Sequence, residues 1–176
     1  MTLLLITSAL AAPKWTFDDP KEIAGWTGIN QCKISVEKGV LKTESTGTDP
    51  YFYPGGAGNK VDWAPFSGAA YTTIYMKLKV NVTNDWQVYY ISEEDANWSE
   101  GQHQNFTVTT KGADFFDLAV KMESGGWQQH KITRIRIDSG TIVGVIAEID
   151  YISLEGPMAP VNSNGKLPVL WSDLKR

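Results

Sequence analysis

An alternating segment between residues 74 and 82 constrains the fold of this chain more than any other feature. Polar or amphipathic residues separate five apolar ones there, namely Ile74, Met76, Leu78, Val80 and Val82. A period of two places apolar side chains on one face of a β-strand and polar side chains on the other. The segment therefore predicts a half-buried strand whose apolar face packs against a second layer.

Shorter segments with strand character follow one another along the chain from Lys14 onward. They are residues 34–36, 40–46, 86–91, 106–109, 115–122, 132–137 and 145–154. Glu37-Lys38-Gly39 and Asn84-Asp85 each separate two of these segments, and both turns predict a hairpin. No amphipathic run is long enough for a substantial helix. The pattern predicts an all-β fold, an antiparallel β-sandwich, with the jelly roll as its expected form.

The two ends of the chain differ from this strand-rich middle. Residues 1–11 combine an apolar run with Ala9-Leu10-Ala11, which is typical of a signal peptide, here without the usual basic start. The alternative for this segment is a first β-strand. Residues 14–154 form the predicted β-sandwich domain, 155–165 a linker and 166–176 an apolar C-terminal tail. The tail is expected either to pack on the sandwich or to bind a sorting or anchoring partner.

Composition excludes several classes of function. With 16 Lys and Arg against 20 Asp and Glu, the net charge is −4, whereas nucleic-acid binding needs clustered positive charge. A single cysteine, Cys32, excludes an internal disulfide and a multi-cysteine metal site. No segment contains the roughly 18 apolar residues that a transmembrane helix requires. We expect a secreted or cell-surface domain without a nucleic-acid partner.

Catalytic signatures are also missing from the sequence. Metalloprotease, nucleophile-elbow and phosphate-loop motifs do not occur. Gln102-His103-Gln104 resembles one element of the β-jelly-roll alginate lyases, but Arg134-Ile135-Arg136 lacks the acidic residue of the arginine strand in those enzymes. The chain is therefore predicted to have no catalytic residues. A polysaccharide lyase or hydrolase is kept as the second alternative function.

Aromatic residues give the main functional signal. The chain has seven tryptophans, more than a core of this size needs, and five lie in or beside predicted loops: Trp26, Trp63, Trp86, Trp98 and Trp127. An exposed aromatic ring can stack on the apolar face of a pyranose, while neighbouring polar side chains bind its hydroxyls. The predicted carbohydrate-binding residues, at a concave face or loop rim, are Trp86, Tyr89, Trp98, Trp127, Arg134 and Arg136.

The two arginines belong to the predicted strand 132–137. Ile135 and Ile137 are expected to face the core, so Arg134 and Arg136 should point the other way. An arginine on an exposed sheet face can pair bidentately with a uronate or sulfate group. The sequence therefore slightly favours an acidic glycan as the ligand.

Several segments resemble those of a known family. They are Gly25-Trp26, Asp49-Pro50-Tyr51-Phe52, Trp127 ahead of Ile132–Asp138, and the final strand Glu148–Leu154. Residues 14–154 are similar to bacterial β-sandwich domains of the carbohydrate-binding-module type, with a galactose-binding-like fold. The resemblance implies an exported polysaccharide-binding module without catalytic activity. The alternative from another class is a structural or adhesive surface domain held through its tail.

Domains of this type often hold a structural calcium ion between the first and last strands. In this chain, the resemblance implies a Ca²⁺ site made from Asp18, Asp19 and Glu22 on one side and Glu148 and Asp150 on the other. Carboxylates and backbone carbonyls would supply the six to eight oxygens that calcium takes. The alternative is an acidic edge that is simply solvated.

Overall fold

The structure is a computed structural model that describes residues 13–18, 26, 29–54 and 65–158. Its strands are β1 (Lys14–Trp15), β2 (Cys32–Glu37), β3 (Val40–Ser45), β4 (Tyr51–Phe52), β5 (Phe66–Ser67), β6 (Thr73–Val80), β7 (Asn84–Ser92), β8 (His103–Val108), β9 (Phe116–Lys121), β10 (Lys131–Asp138) and β11 (Ile146–Ser153). A short 3-10 turn covers Trp127–Gln129. The predicted signal peptide and C-terminal tail lie outside the described residues and stay predictions.

Two antiparallel sheets form the sandwich. The first sheet has the strand order β2-β3-β11-β6-β9, with β1 beside β11, and the second has the order β4-β10-β7-β8, with β5 beside β10. From β3 to β11 the chain passes repeatedly from one sheet to the other. The exceptions are the short strand β5, which follows β4 in the second sheet, and β8, which follows β7 there. This order is that of a jelly roll, so the predicted fold class is confirmed.

The hairpin predicted at Asn84-Asp85 is wrong. Strands β6 and β7 belong to different sheets, so the segment between them crosses the sandwich. Asn81 ends β6 by accepting a hydrogen bond from Ile146 N at 2.8 Å, and Asn84 begins β7 by donating to Ser139 O at 3.2 Å. Alternation identifies the buried face of a strand but not its partner, which depends on contacts distant in sequence.

The core lies between the sheets and is made by the inward residues of both. Ile74, Met76 and Leu78 on β6 are fully buried and belong to the same hydrophobic cluster as Val88 and Ile135 of the second sheet. The inner face predicted for the alternating segment is therefore confirmed. Within the described part of the chain, no helix has the length and apolar character needed to span a bilayer.

Candidate functional site

A row of planar side chains crosses the outer face of the second sheet. Each of the four main strands of this sheet contributes one member, and the residue after β4 contributes a fifth. In order across the sheet they are Tyr53 (after β4), Tyr51 (β4), Arg136 (β10), Tyr89 (β7) and His103 (β8). Successive ring or guanidinium separations along the row are 6.5, 4.4, 4.2 and 4.9 Å. Since neighbouring strands lie about 4.8 Å apart, the row follows the strand spacing and forms one continuous platform.

Strand alternation places the members of the row on this face. Ile135 and Ile137 are 1% and 0% exposed and point into the core, so Arg136 between them points outward, as predicted. On β7, Val88 and Tyr90 are fully buried in the core, so Tyr89 between them takes the outer face, where its own side chain is only 5% exposed. The register of the sheet then pairs Arg136 with Tyr89.

Arg136 is held in place by a carboxylate and by aromatic rings. Its Nε donates to Asp138 Oδ1 and its Nη2 to Asp138 Oδ2, both at 2.7 Å. Burial raises the pKa of Asp138 above its usual value, although the neighbouring Arg136 acts in the opposite direction. The guanidinium also lies over the rings of Tyr51 and Tyr89, an arrangement that favours a cation. Arg136 is thus charge-compensated and fixed in one orientation.

The connection between β7 and β8 covers one part of the platform. Trp98 lies 5.4 Å from the ring of Tyr53 and 5.4 Å from the guanidinium of Arg136, and its side chain is half-buried. Two residues further on, Glu100 accepts hydrogen bonds from the Tyr89 hydroxyl at 3.0 Å. Burial and this carboxylate together raise the pKa of Tyr89 to about 12. The connection therefore adds one ring above the platform and fixes another within it.

Polar amides adjoin the row on β7 and β8. Gln87 Nε2 donates to Asn105 Oδ1 at 2.8 Å, and Asn105 Nδ2 lies 3.1 Å from His103 Nε2. Asn105 is exposed, and Gln87 and His103 are partly exposed. This face therefore combines aromatic rings with amide donors and acceptors.

Trp86 and Trp127, two of the predicted carbohydrate-binding residues, lie in the core. Their side chains are 0% and 1% exposed, so neither can stack on a ligand at the surface, and the expectation that they border the site is wrong. Trp86 is inward on β7 because it lies two residues before Val88, and alternation places both side chains on the inner face. Trp127 follows Gly125 and Gly126, whose left-handed φ values of 65° and 76° turn its indole into the end of the sandwich.

Arg134, the other predicted arginine, lies two residues before Arg136 on the partly exposed part of β10. The register of β10 against β7 shifts between Ile132 and Arg134, and Arg134 pairs with Ile91. Among the described residues it makes no ion pair and no aromatic contact. The structure thus brings together Tyr89, Trp98 and Arg136 from the predicted set and leaves Arg134 beside them.

Several residues of this face are not among the carbohydrate-binding residues predicted from the sequence. They are Tyr51, Tyr53, Gln87, His103, Asn105 and Asp138. Alternation along β7 and β10 could have placed Gln87 and Asp138 beside Tyr89 and Arg136. The contribution of β4 could not be found in this way, because its two residues carry no periodic pattern. Trp63 lies outside the described residues.

The carboxylates expected to bind calcium at the last strand have lysine partners. Glu148 lies 2.9 Å from Lys79 Nζ, and Asp150 lies 2.7 Å from Lys77 Nζ. Strand β1 does pair with β11, as the hypothesis required. Asp18 instead lies at the β2–β3 turn, where a Cβ on Gly39 would come within 3.2 Å of its Oδ1. The described residues contain no group of three or more metal-ligating side chains.

Asp19 and Glu22, the two other residues of the calcium hypothesis, lie outside the described part of the chain. The calcium site therefore stays a prediction. The hypothesis assumed that crowded carboxylates on the last strand repel one another. Glu148 and Asp150 instead each have a lysine cation beside them.

Neither a family model nor a curated protein matches this sequence. Solved structures do share its fold. A variant of a family 29 carbohydrate-binding module complexed with cellulohexaose superposes with a TM-score of 0.53 at 11% identity, over 86% of this chain and 100% of that one. Another family 29 module gives a TM-score of 0.52 at 11% identity, over 79% of this chain and 87% of that one. A module from Piromyces equi gives 0.49 at 13% identity, over 73% and 78%.

At such identities the likeness shows the fold alone. The carbohydrate-binding-module type of β-sandwich implied by the sequence resemblance is therefore confirmed at the level of architecture. Its bacterial origin and galactose-binding-like classification stay predictions.

Proposed function

We propose that this protein is a non-catalytic glycan-binding module and that its ligand lies on the outer face of the second sheet. The observation that carries the proposal is the continuous row from Tyr53 to His103, with Trp98 above it. The architecture that the chain shares with solved carbohydrate-binding modules supports the same assignment.

The chemistry of the face suits sugar rings. A pyranose offers apolar C–H faces and a rim of hydroxyls, so it needs flat apolar surfaces flanked by donors and acceptors. The half-buried rings of Tyr51, Tyr53 and Trp98 supply such surfaces, and Gln87 and Asn105 supply the amide groups. Because the platform crosses the strands, we infer that the glycan chain lies across the sheet rather than along one strand.

The charges of the face favour a neutral glycan over an acidic one. Both oxygens of Asp138 already pair with Arg136 and compensate its charge, and the Arg136 side chain is only 13% exposed, so it offers little attraction to a uronate. Glu100 and Asp49 add further negative charge close to Asp138, since both act to raise its pKa. An anionic chain would meet this repulsion, and of the two arginines on β10 the described residues leave only Arg134 without an ion pair. The proposal thus departs from the slight preference for acidic glycans that the sequence suggested.

Binding assays with soluble and insoluble neutral polysaccharides test the proposal, and cellohexaose is the first probe because a structural neighbour was solved with it. We expect Trp98→Ala and Tyr51→Ala to weaken binding at least about tenfold, which corresponds to about 1.4 kcal/mol. Tyr75→Ala is the matched control, because Tyr75 is a partly exposed tyrosine on β6 in the opposite sheet. Equal losses of affinity in all three variants would contradict the assignment. So would a wild-type protein that binds none of the polysaccharides tested.

Export and the role of the C-terminal tail form a separate part of the proposal. As a secreted module, the protein would meet polysaccharide outside the cell, and an adhesive or anchoring domain would instead act through residues 166–176. Deleting residues 156–176 separates the two functions. Glycan binding should survive the deletion, whereas attachment to a surface or partner should be lost.

The enzymatic alternative concerns the same face. A lyase would need a free general base and a free cation to neutralise the substrate carboxylate. Here the hydroxyl of Tyr89 is bonded to Glu100, and the guanidinium of Arg136 is bonded to Asp138. Release of unsaturated or reducing ends from a polysaccharide panel by the purified protein would favour the enzyme.

A further inference from the structure

We propose that His103 sets the direction of a hydrogen-bond chain through Asn105 to Gln87 and so decides which amide atom Gln87 presents to a glycan. This inference rests on the proposed function, because it concerns the same face of the second sheet. It assigns His103 as a positioning residue that acts through its two amide neighbours. Its consequence is a glycan affinity that depends on pH.

The chain of contacts has a defined polarity. Gln87 Nε2 donates to Asn105 Oδ1 at 2.8 Å, so the Asn105 amide turns its nitrogen towards His103. Asn105 Nδ2 then lies 3.1 Å from His103 Nε2, and an amide nitrogen can only donate. His103 Nε2 must therefore accept, which places the proton of the neutral imidazole on Nδ1. Gln87 keeps its carbonyl oxygen for a ligand hydroxyl.

Protonation of His103 reverses every step. An imidazolium carries N–H groups at both nitrogens, so Nε2 would point a proton at the amide nitrogen of Asn105. Asn105 has to rotate and present its oxygen, which turns its nitrogen towards Gln87. Gln87 must then rotate as well, accept with its oxygen, and present its NH₂ group outward. One proton thus changes an acceptor on the glycan face into a donor.

The surroundings of His103 leave this proton free to act. The described partners of the Gln87 and Asn105 side-chain amides are other members of this hydrogen-bond chain. No other described group therefore fixes the orientation of either amide. His103 Nδ1 is buried without a partner among the described residues, so it does not select one of the two states. The ring of His103 stacks on Tyr89 at 4.9 Å.

Few charged or titratable groups face the ring. From β7 there is Tyr89, and its hydroxyl bonds Glu100 of the β7–β8 connection. Arg136 of β10 lies 4.2 Å from the ring of Tyr89. From the segment after β9, Glu123 donates its backbone N–H to the side-chain oxygen of Gln104, the residue that follows His103. Histidine is the side chain that ordinarily changes charge between about pH 5 and pH 8, and the experiments below cover this range.

Glycan binding should favour the neutral state. A sugar chain that covers the row removes His103 from water, and desolvating an imidazolium costs more than desolvating a neutral imidazole. Acidification also removes the carbonyl acceptor of Gln87, whose hydrogen bond to a hydroxyl is of ordinary strength. We therefore expect affinity for cellohexaose to fall about threefold to tenfold between about pH 8 and about pH 5.

The first experiment needs no ligand. Nuclear magnetic resonance of the full chain follows the ring of His103 and the side-chain amides of Gln87 and Asn105 across this pH range. Both amides should shift with the midpoint of His103, and the neutral ring should carry its proton on Nδ1. Amide signals that do not follow His103 would overturn the proposal whether or not a glycan binds.

The second experiment measures cellohexaose affinity against pH. His103→Phe keeps the stack on Tyr89 without ring nitrogens, and His103→Gln keeps an amide that does not titrate. Both variants should bind with little dependence on pH. His130→Gln is the matched control, because the protein has two histidines and His130 pairs with Glu94 elsewhere. This control should keep the wild-type profile.

The outcomes separate this inference from the proposed function. Binding with a flat wild-type pH profile would overturn the role of His103 while leaving the glycan-binding site intact. Amides that titrate with His103 in a protein that binds no glycan would support the hydrogen-bond chain and remove the proposed function. A pH dependence that persists in His103→Phe and disappears in His130→Gln would assign the effect to the other histidine.

Discussion

Replacing Asp138 by alanine should destabilise the protein by about 3 kcal/mol. The change leaves the guanidinium of Arg136 without its two hydrogen bonds of 2.7 Å, and the two side chains are only 13% and 10% exposed. Breaking a buried ion pair costs about 3–5 kcal/mol, and the residual exposure places this pair at the lower end. For a chain of this size, that loss lowers Tm by about 6–12 °C.

Removing both charges should be tolerated better than removing one. Burial raises the pKa of Asp138 despite Arg136, which means that desolvation of the carboxylate outweighs the attraction within the pair. Arg136→Met with Asp138→Ala should therefore recover at least half of the loss, because a methionine also packs well between Tyr51 and Tyr89. Urea unfolding followed by tryptophan fluorescence measures the free energy of unfolding of the wild type, of Asp138→Ala and of the double variant.

The pH dependence separates this pair from a solvated surface salt bridge. A raised pKa means that the folded protein holds the Asp138 proton more tightly than the unfolded chain does. The contribution of this carboxyl to stability is then greatest at low pH and declines as the pH rises through its folded-state pKa. The penalty of Asp138→Ala should therefore be at least as large in acid as at neutral pH. A penalty below about 1 kcal/mol that shrinks on acidification would show an ordinary surface pair and refute the reasoning.

Three further predictions follow from the described geometry. Trp127→Ala should cost about 3–5 kcal/mol of stability in thermal unfolding, because its indole is 1% exposed, whereas Trp98→Ala should cost far less. Tyr89→Phe should keep more of its stability between about pH 10 and 12 than the wild type, because unfolded tyrosine ionises near pH 10 and the pKa of Tyr89 is raised to about 12; equal alkaline losses would contradict this. If calcium binds through Asp18 and its neighbours in sequence, EDTA should lower Tm and Glu148→Gln should leave that effect unchanged; identical melting curves in EDTA and Ca²⁺ would remove the site.

The sequence by itself determined the properties that depend on local periodicity. Alternation along residues 74–80 and 132–138 identified the buried and outer faces, and it placed Arg136 on the outer face before any partner was known. The sequence also predicted the hairpin turn at Lys38-Gly39, which joins two strands that are neighbours along the chain. Both residues have left-handed φ values there, 53° and 78°. These features involve residues that are neighbours along the chain.

Only the tertiary structure decided which aromatic residues face solvent. Trp86 and Trp127 resemble loop tryptophans in the sequence, but Trp86 lies on the inner face of β7 in the second sheet, and Trp127 is also buried. The row of planar groups likewise depends on β4 lying beside β10, which brings Tyr51 to an arginine 85 positions later in the sequence. Such pairings are set by the packing of one sheet against the other, and a local pattern specifies the face of a strand without naming its neighbour.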